Sequence, residues 1–260
     1  MSSLSGKRIL LTRAAEQCEA TAFLIAQRGA EALCFPCLAV QCLPENIRHG
    51  LNTLPDNTAI LLSSVNGVRC AAESLGGDFV SLFNRYPVIA VGNHTAEALT
   101  KRGIRVAWLA AEASQEGLIE GFAEHGLPAS VCFLRAEEGR DVLQQALQSQ
   151  GVEVRLVHAY RTICPQDDAT DMVQALKRGE IDAVLLGSSR TARHYVQRIG
   201  DTQLANRPAV AVISPQVAAA AEDAGLSVQA VAKEASFAAM LDVLAEVFDE
   251  TRSEAEEKRP

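Results

Sequence analysis

VIAVGNHTAEALTKRG, residues 88–103, decides how this chain is read, because most of it returns in worn form as VAVISPQVAAAAEDAG, residues 210–225. Each copy reads as a strand, a tight polar turn, an Ala/Leu-rich helix and a glycine stop. In the first copy Val88, Ile89, Ala90 and Val91 run into Gly92, Thr95 is a candidate N-cap, and Gly103 closes the helix. Such a βα unit leaves free backbone N–H groups at a helix N-terminus, which makes an anion site before any side chain is considered.

One copy alone is an ordinary βα connection; the repetition carries further. Gly103 and Gly225, Ser114 and Ser236, Gly29 and Gly151, and Arg13 and Arg135 each lie 122 positions apart. The stretches ILLSS (60–64) and VLLGS (184–188) lie 124 apart, which a two-residue insertion and its later loss accommodate. A repeat of this length means duplicated domains rather than a solenoid.

The chain has 260 residues, 48% of them hydrophobic and only 5% aromatic, so two aliphatic cores are expected. No apolar run approaches the ~20 residues of a membrane span. The opening MSSLSGKRILLTR lacks the long apolar region of a signal peptide, so a cytoplasmic protein with no membrane partner is expected. A formal charge of −8 argues against nucleic acid as a partner. An acidic protein binds an anion instead through local arginines and oriented N–H groups. The seven cysteines are scattered, and reduced thiols fit that pattern. Cys34 and Cys37 match C-x-x-C, but the residues after Cys37 read as extended rather than as the helix a redox motif needs. No histidine pair stands at zinc-ligand spacing, and no metal site is read.

Arg13 follows the first strand, 9–11, and a helix over 16–27 is stopped by Gly29. After the second strand, 32–34, Pro36 and Pro44 bracket an extended segment. Its counterpart by the repeat offset is HAYRTICP, 158–165, also extended and also ending in proline. Two extended segments at equivalent places pair naturally as a linker between domains. That pairing predicts discontinuous domains: 1–37 with 165–260, and 43–160, joined by linkers 38–42 and 161–164. Expected strands are 59–62, 89–91, 105–108, 131–134 and 153–157 in one domain. In the other they are 9–11, 32–34, 183–186, 209–212 and 227–230. Alternating β and α units give parallel sheets covered on both faces, so the fold class is α/β with two flavodoxin-like domains. The charged tail 251–260 reads as disordered.

Ligands of open α/β sheets bind at the carboxyl ends of the strands. The turns there hold Arg13; Ser64 and Asn66; Gly92 and Thr95; Arg135 and Arg140; Ser188 and Ser189; and Pro215 and Gln216. No Ser-His-Asp set, nucleophile elbow, Walker loop or dinucleotide fingerprint is present. The hydroxyls serve equally as helix caps, and a capped turn still offers N–H groups to an anion. Tyr160 sits in the return linker beside Arg161, either as interdomain packing or as a phenol able to donate a proton.

ILLTR (9–13), SSVNGV (63–68), AVGNHTAEAL (90–99) with Gly103, LRAEEGRDVL (134–143), AYRT (159–162) and ASFAAMLDVL (235–244) together resemble the uroporphyrinogen-III synthase family over nearly all of 7–248. The resemblance implies cyclisation of hydroxymethylbilane to uroporphyrinogen III, with loss of water and inversion of the last pyrrole ring through a spiro intermediate. It implies no cofactor and no metal, and substrate held between two domains; a monomer is expected. The family's tyrosine matches Tyr160, and its hydroxyl positions match Ser64, Thr95 and Ser188. A non-catalytic two-domain binding protein for an anionic small molecule is the competing class, separated from the enzyme by turnover.

Overall fold

The computed structural model describes residues 3–112 and 114–257, which divide into two compact units: 1–39 with 163–260, and 40–162. In chain order the elements are β1 (Arg8–Leu11), α1 (Cys18–Ala26), β2 (Glu31–Cys34), β3 (Ala39–Cys42), α2 (Pro44–Leu51), β4 (Thr58–Leu62), α3 (Val65–Leu75) and α4 (Asp78–Phe83). There follow β5 (Val88–Ala90), α5 (Asn93–Thr100), β6 (Val106–Leu109), α6 (Gln115–His125), β7 (Ser130–Ala136), α7 (Val142–Ser149) and β8 (Glu153–Ile163). The chain ends with α8 (Thr170–Lys177), β9 (Ala183–Leu186), α9 (Ser189–Ile199), α10 (Thr202–Ala205), β10 (Ala209–Val212), α11 (Pro215–Asp223), β11 (Ala230–Val231) and α12 (Phe237–Glu257).

The first unit holds a sheet in the order β11-β10-β9-β1-β2, all neighbours parallel. Counted along the chain this is the flavodoxin-like order 2-1-3-4-5. The second sheet runs β3-β8-β7-β4-β5-β6, with β4 to β8 mutually parallel. The repeat offset maps β1 onto β7, β2 onto β8, and β9, β10 and β11 onto β4, β5 and β6. The two sheets therefore share one spatial order. Each five-strand core is assembled from two strands of one repeat and three of the other, and the second sheet adds β3 at its edge. Gly103 and Gly225, at φ 83° and 86°, stop equivalent helices in the left-handed region that favours glycine. Ser114 and Ser236 cap equivalent helices, accepting from the N–H groups of Gly117 and Ala239 at 2.9 and 3.1 Å.

Period-two alternation splits each sheet's side chains between two apolar layers. Ile60 and Leu62 pack on one face of β4, and Ala59 and Leu61 on the other. In the first unit Leu10, Val184 and Leu186 take one face while Ile9, Leu11, Ala183 and Leu185 take the other. Each large aliphatic side chain buried this way contributes about 1.5–3 kcal/mol. Strands buried on both faces need continuous apolar runs, and TAILL and AVLL are such runs.

Three sequence expectations change. The last strand, expected at 227–230, is Ala230–Val231, because the Gln229 side-chain oxygen accepts the Val210 N–H at 2.7 Å and a side chain stands in for a strand partner. The tail expected to be disordered continues as α12 through Glu257, with Thr251 and Ser253 hydroxyls bonded back to the carbonyls of Val247 and Asp249; the rest of it, 258–260, lies outside the described residues. The thiols expected to be reduced form two disulfides, Cys18–Cys34 and Cys42–Cys70, leaving Cys37, Cys132 and Cys164 free. Spacing along the chain carries no record of tertiary distance, and the fold brings these pairs to Cα separations of 6.4 and 5.3 Å, within bridging range. Cys34 is thus paired with Cys18 rather than with Cys37 of the C-x-x-C.

Candidate active site

In the second unit the sheet order reverses direction between β4 and β7, which is where an open α/β sheet binds its ligand. Leaving β4, Ser64 caps α3: its Oγ accepts the Gly67 N–H at 3.1 Å. The N–H groups of Val65 and Asn66, in the first turn of α3, have no intrahelical partner by construction. The same Ser64 Oγ lies 2.8 Å from the phenolic oxygen of Tyr160 on β8.

A one-residue irregularity brings Tyr160 there. Arg135 of β7 pairs with His158 of β8, but the next residue, Ala136, pairs with Tyr160, so Ala159 is extra. Up to that point Val157 and Ala159 face the layer shared with α3, and simple alternation would turn Tyr160 away from it. The bulge reverses the parity. Tyr160 therefore joins Val157 and Ala159 in the same layer, 8% exposed, with its hydroxyl at the N-terminus of α3.

Arg135 and Arg140 part company. The sequence groups both with the substrate-binding residues. Arg135 is still inside β7, its side chain is only 5% exposed, and its guanidinium turns inward to the Arg140 carbonyl and the Asp141 carboxylate. A Cβ on Gly139 would stand 2.7 Å from the same guanidinium, so glycine is what lets the arginine lie across the loop. Arg140 is exposed and meets Glu116 at 3.5 Å. Gly92, at φ 84°, is the N-cap of α5; Thr95, expected as the cap, lies three residues in and is buried, because the helix begins at Asn93.

In the first unit the reversal lies between β1 and β9. Arg13, two residues past the end of β1, donates to Thr21 at 2.9 Å and Gln17 at 3.3 Å, and its guanidinium lies over the Phe237 ring. Partial burial pulls the Arg13 pKa down, yet an arginine keeps its charge at any physiological pH. Phe237 fills the space beside Gly187, where a Cβ would stand 2.7 Å from the ring. Next along the chain, Ser188 caps α9 in a reciprocal box with Thr191, and Ser189 opens the helix. Ser214 caps α11, with Pro215 in its first turn and Gln216 exposed beside it.

Sequence reasoning named Ser64 and Tyr160 separately and missed their contact, and it missed Phe237 and Asp141. The repeat offers a signal for Phe237. It is equivalent to Gln115, and each opens its helix: Phe237 supports Arg13, while Gln115 braces the loop of Arg140 through the Arg140 carbonyl and the Leu143 N–H.

The sequence profile of the uroporphyrinogen-III synthase HemD family matches residues 19–242. The chain belongs to the uroporphyrinogen-III synthase family. Its relatives include the uroporphyrinogen-III synthase of Synechococcus elongatus, 32% identical over 200 residues that cover 75% of each chain. The porphyrin biosynthesis protein HemD of Ruminiclostridium josui is 27% identical over 94% of this chain and 49% of its own length. The crystal structure of the Helicobacter pylori uroporphyrinogen-III synthetase shares the fold, with a TM-score of 0.59 at 17% identity, covering 93% of this chain and 99% of that one. Uroporphyrinogen-III synthases are lyases of porphyrin biosynthesis, so this chain is an enzyme of that class. Among the described residues, no helix is long and apolar enough to cross a membrane.

Proposed function

We propose that this chain cyclises hydroxymethylbilane to uroporphyrinogen III, with Tyr160 as the proton donor to the departing hydroxyl. The observation that carries the residue assignment is the Tyr160 phenol held at the N-terminus of α3, beside free backbone N–H groups. Loss of the hydroxyl breaks a C–O bond; the oxygen takes the electron pair and the phenol proton and leaves as water. The adjacent pyrrole nitrogen supplies electrons to the carbon left behind, giving a cationic, N-protonated azafulvene. The substituted carbon of the last ring attacks that carbon to give a spiro intermediate. The bond from the spiro carbon to its original bridge then breaks and re-forms at the ring's free carbon, and the proton lost there restores the phenol. Water is the only by-product.

The substrate is a polycarboxylate, and the edges of both sheets suit it. Arg13 with the first turn of α9, Ser188 and Ser189 included, forms one anion-binding group. Arg140, the first turns of α3 and α5 at Asn66 and Gly92, and the α11 turn at Pro215 and Gln216 supply others. Arg135 holds the loop that presents Arg140. With an electrophile this reactive, most of the catalysis is positioning: the substrate must be folded so that the substituted carbon of the last ring attacks before its free carbon closes head to tail. A cytoplasmic location would expose the Cys18–Cys34 and Cys42–Cys70 bridges to a reducing thiol pool that favours their opening, and alkylation reads their state.

Incubation with freshly generated hydroxymethylbilane, followed by chromatographic separation of the isomers, tests the activity. Isomer III at a rate proportional to protein is expected; isomer I alone, at the spontaneous rate, overturns it.

A further inference from the structure

Ser64 is doubly engaged. Its oxygen accepts the Gly67 N–H at 3.1 Å, which spends one lone pair, and it meets the Tyr160 oxygen at 2.8 Å. Either hydroxyl has the geometry to donate in the second contact, and the two arrangements differ in what they leave for a substrate. If Tyr160 donates, its proton is tied to Ser64 and is not offered elsewhere. If Ser64 donates, the phenol proton stays free. A hydroxyl oxygen that already accepts an N–H is polarised toward donating its own proton, since hydrogen bonds in a chain reinforce one another. The positive end of an 11-residue helix acts in the same direction on a serine at its cap.

We propose that Ser64 is the positioning residue of Tyr160, donating its hydroxyl proton to the phenol oxygen and so reserving the phenol proton for the hydroxyl that leaves. The inference rests on the reading of Tyr160 as proton donor. The chain of donors runs from the Gly67 N–H to Ser64 and from Ser64 to Tyr160. When the phenol gives up its proton to the departing oxygen, the negative charge forms on an atom that already accepts a hydrogen bond backed by the helix N-terminus. Nothing needs to reorganise at that moment, which is the condition under which such bonds favour the transition state over the ground state. The bulge at Ala159 belongs to the same device: without it Tyr160 would face the opposite layer and have no access to Ser64.

The experiment is a double-mutant cycle on the full chain with hydroxymethylbilane, reading kcat and KM separately. Glycine is tolerated at helix N-caps, so Ser64→Gly removes the hydroxyl and keeps α3, which thermal melting verifies. Its kcat is expected to fall about tenfold, with KM within about twofold of the parent. Ser64→Thr, which retains both the cap and the donor, is expected to recover kcat to within about threefold of the parent. In a Tyr160→Phe background, Ser64→Gly is expected to cost nothing further, because there is no phenol left to orient. An unchanged kcat in Ser64→Gly overturns the inference, as does a rise in KM alone, which would make Ser64 a binding contact. Additive losses in the double variant overturn it too, while leaving Tyr160 as the acid. Parental kcat in Tyr160→Phe removes the acid itself and the inference with it, and isomer III formation by the unmutated enzyme keeps that failure apart from failure of the activity.

Discussion

The guanidinium of Arg13 lies 4.4 Å above the ring centroid of Phe237, and Phe237 in turn occupies the space that a side chain on Gly187 would need. An arginine is thereby held flat at the edge of the β1–β9 reversal, its position fixed by an aromatic face and by neutral partners, Thr21 and Gln17, rather than by a carboxylate. Its charge remains for an anion. Arg13→Ala is expected to raise KM for hydroxymethylbilane about ten- to a hundredfold, the worth of one charge-assisted hydrogen bond, with kcat changed by less than about threefold. Steady-state kinetics decides it. A fall in kcat at constant KM would move Arg13 from binding to chemistry.

Arg135 stands at the repeat position of Arg13 and has a different fate. β1 ends two residues before Arg13, whereas β7 runs through Arg135 to Ala136, so Arg135 is still a sheet residue and packs inward near Phe133. Arg135→Ala is expected to act on stability: it empties a buried position and leaves the half-exposed Asp141 carboxylate without its arginine partner. The cost is about 1–3 kcal/mol, several degrees in the thermal midpoint. Arg140→Ala breaks only an exposed pair with Glu116, so its melting should stay within about a degree while KM rises. Melting curves and KM measured together for the two variants separate the roles; equal melting points would contradict the assignment.

Why one arginine was legible and the other was not has a simple physical basis. The alternation of β and α units, the glycine stops and the equivalent caps are written locally, in periods of two and 3.6 and in single residues, so strands such as β9 and β10 and the equivalence of Ser114 with Ser236 can be read directly. Strand length past the last core residue is not written locally, and that length decides whether Arg135 faces a layer or the solvent. The bulge that aims Tyr160 is equally silent in sequence, because AYRT contains no residue that demands it. α4 and α10 are too short to show a helical period. The disulfides depend on which elements meet in space, so Cys42 on β3 and Cys70 on α3, 28 residues apart, could not be matched from spacing.

Cysteine chemistry gives a direct count. Alkylation of the unfolded, unreduced protein is expected to label Cys37, Cys132 and Cys164 and to leave Cys18, Cys34, Cys42 and Cys70 unmodified. In the folded protein the three free thiols should also resist, since burial pushes Cys132 up to about 12 and raises Cys37 and Cys164 as well. Each bridge closes a loop long enough to stabilise the fold by about 3 kcal/mol, so a reductant should lower the melting point. Mass spectrometry reads the labels. Seven labelled sites before reduction would mean that the bridges do not persist in the protein as isolated.

Arg198 ties together the two places where the chain enters and leaves the first unit. Its side chain is 2% exposed, its guanidinium stacks 4.1 Å from the centroid of Phe35, and it donates to the Pro36 carbonyl on one crossing and to the Asp167 carbonyl and carboxylate, the latter at 2.7 Å, on the other. Three acceptors in different directions and a flat aromatic contact suit a guanidinium and not an ammonium. Arg198→Ala is therefore expected to cost about 1–3 kcal/mol, since the Asp167 carboxylate it leaves is exposed, and Arg198→Lys to recover less than half of it. A second readout comes from Cys37 and Cys164, which flank these crossings. Burial raises both thiols, and the Arg198 charge pulls both down. Removing that charge alone would raise them further and slow their alkylation. If the arginine also holds the crossings closed, exposure dominates and alkylation of the native Arg198→Ala protein speeds up. Faster labelling at both cysteines, with Cys132 unchanged as the internal standard, is the expected result; slower labelling with an unaltered melting point would show that Arg198 contributes charge alone and that the crossings hold without it.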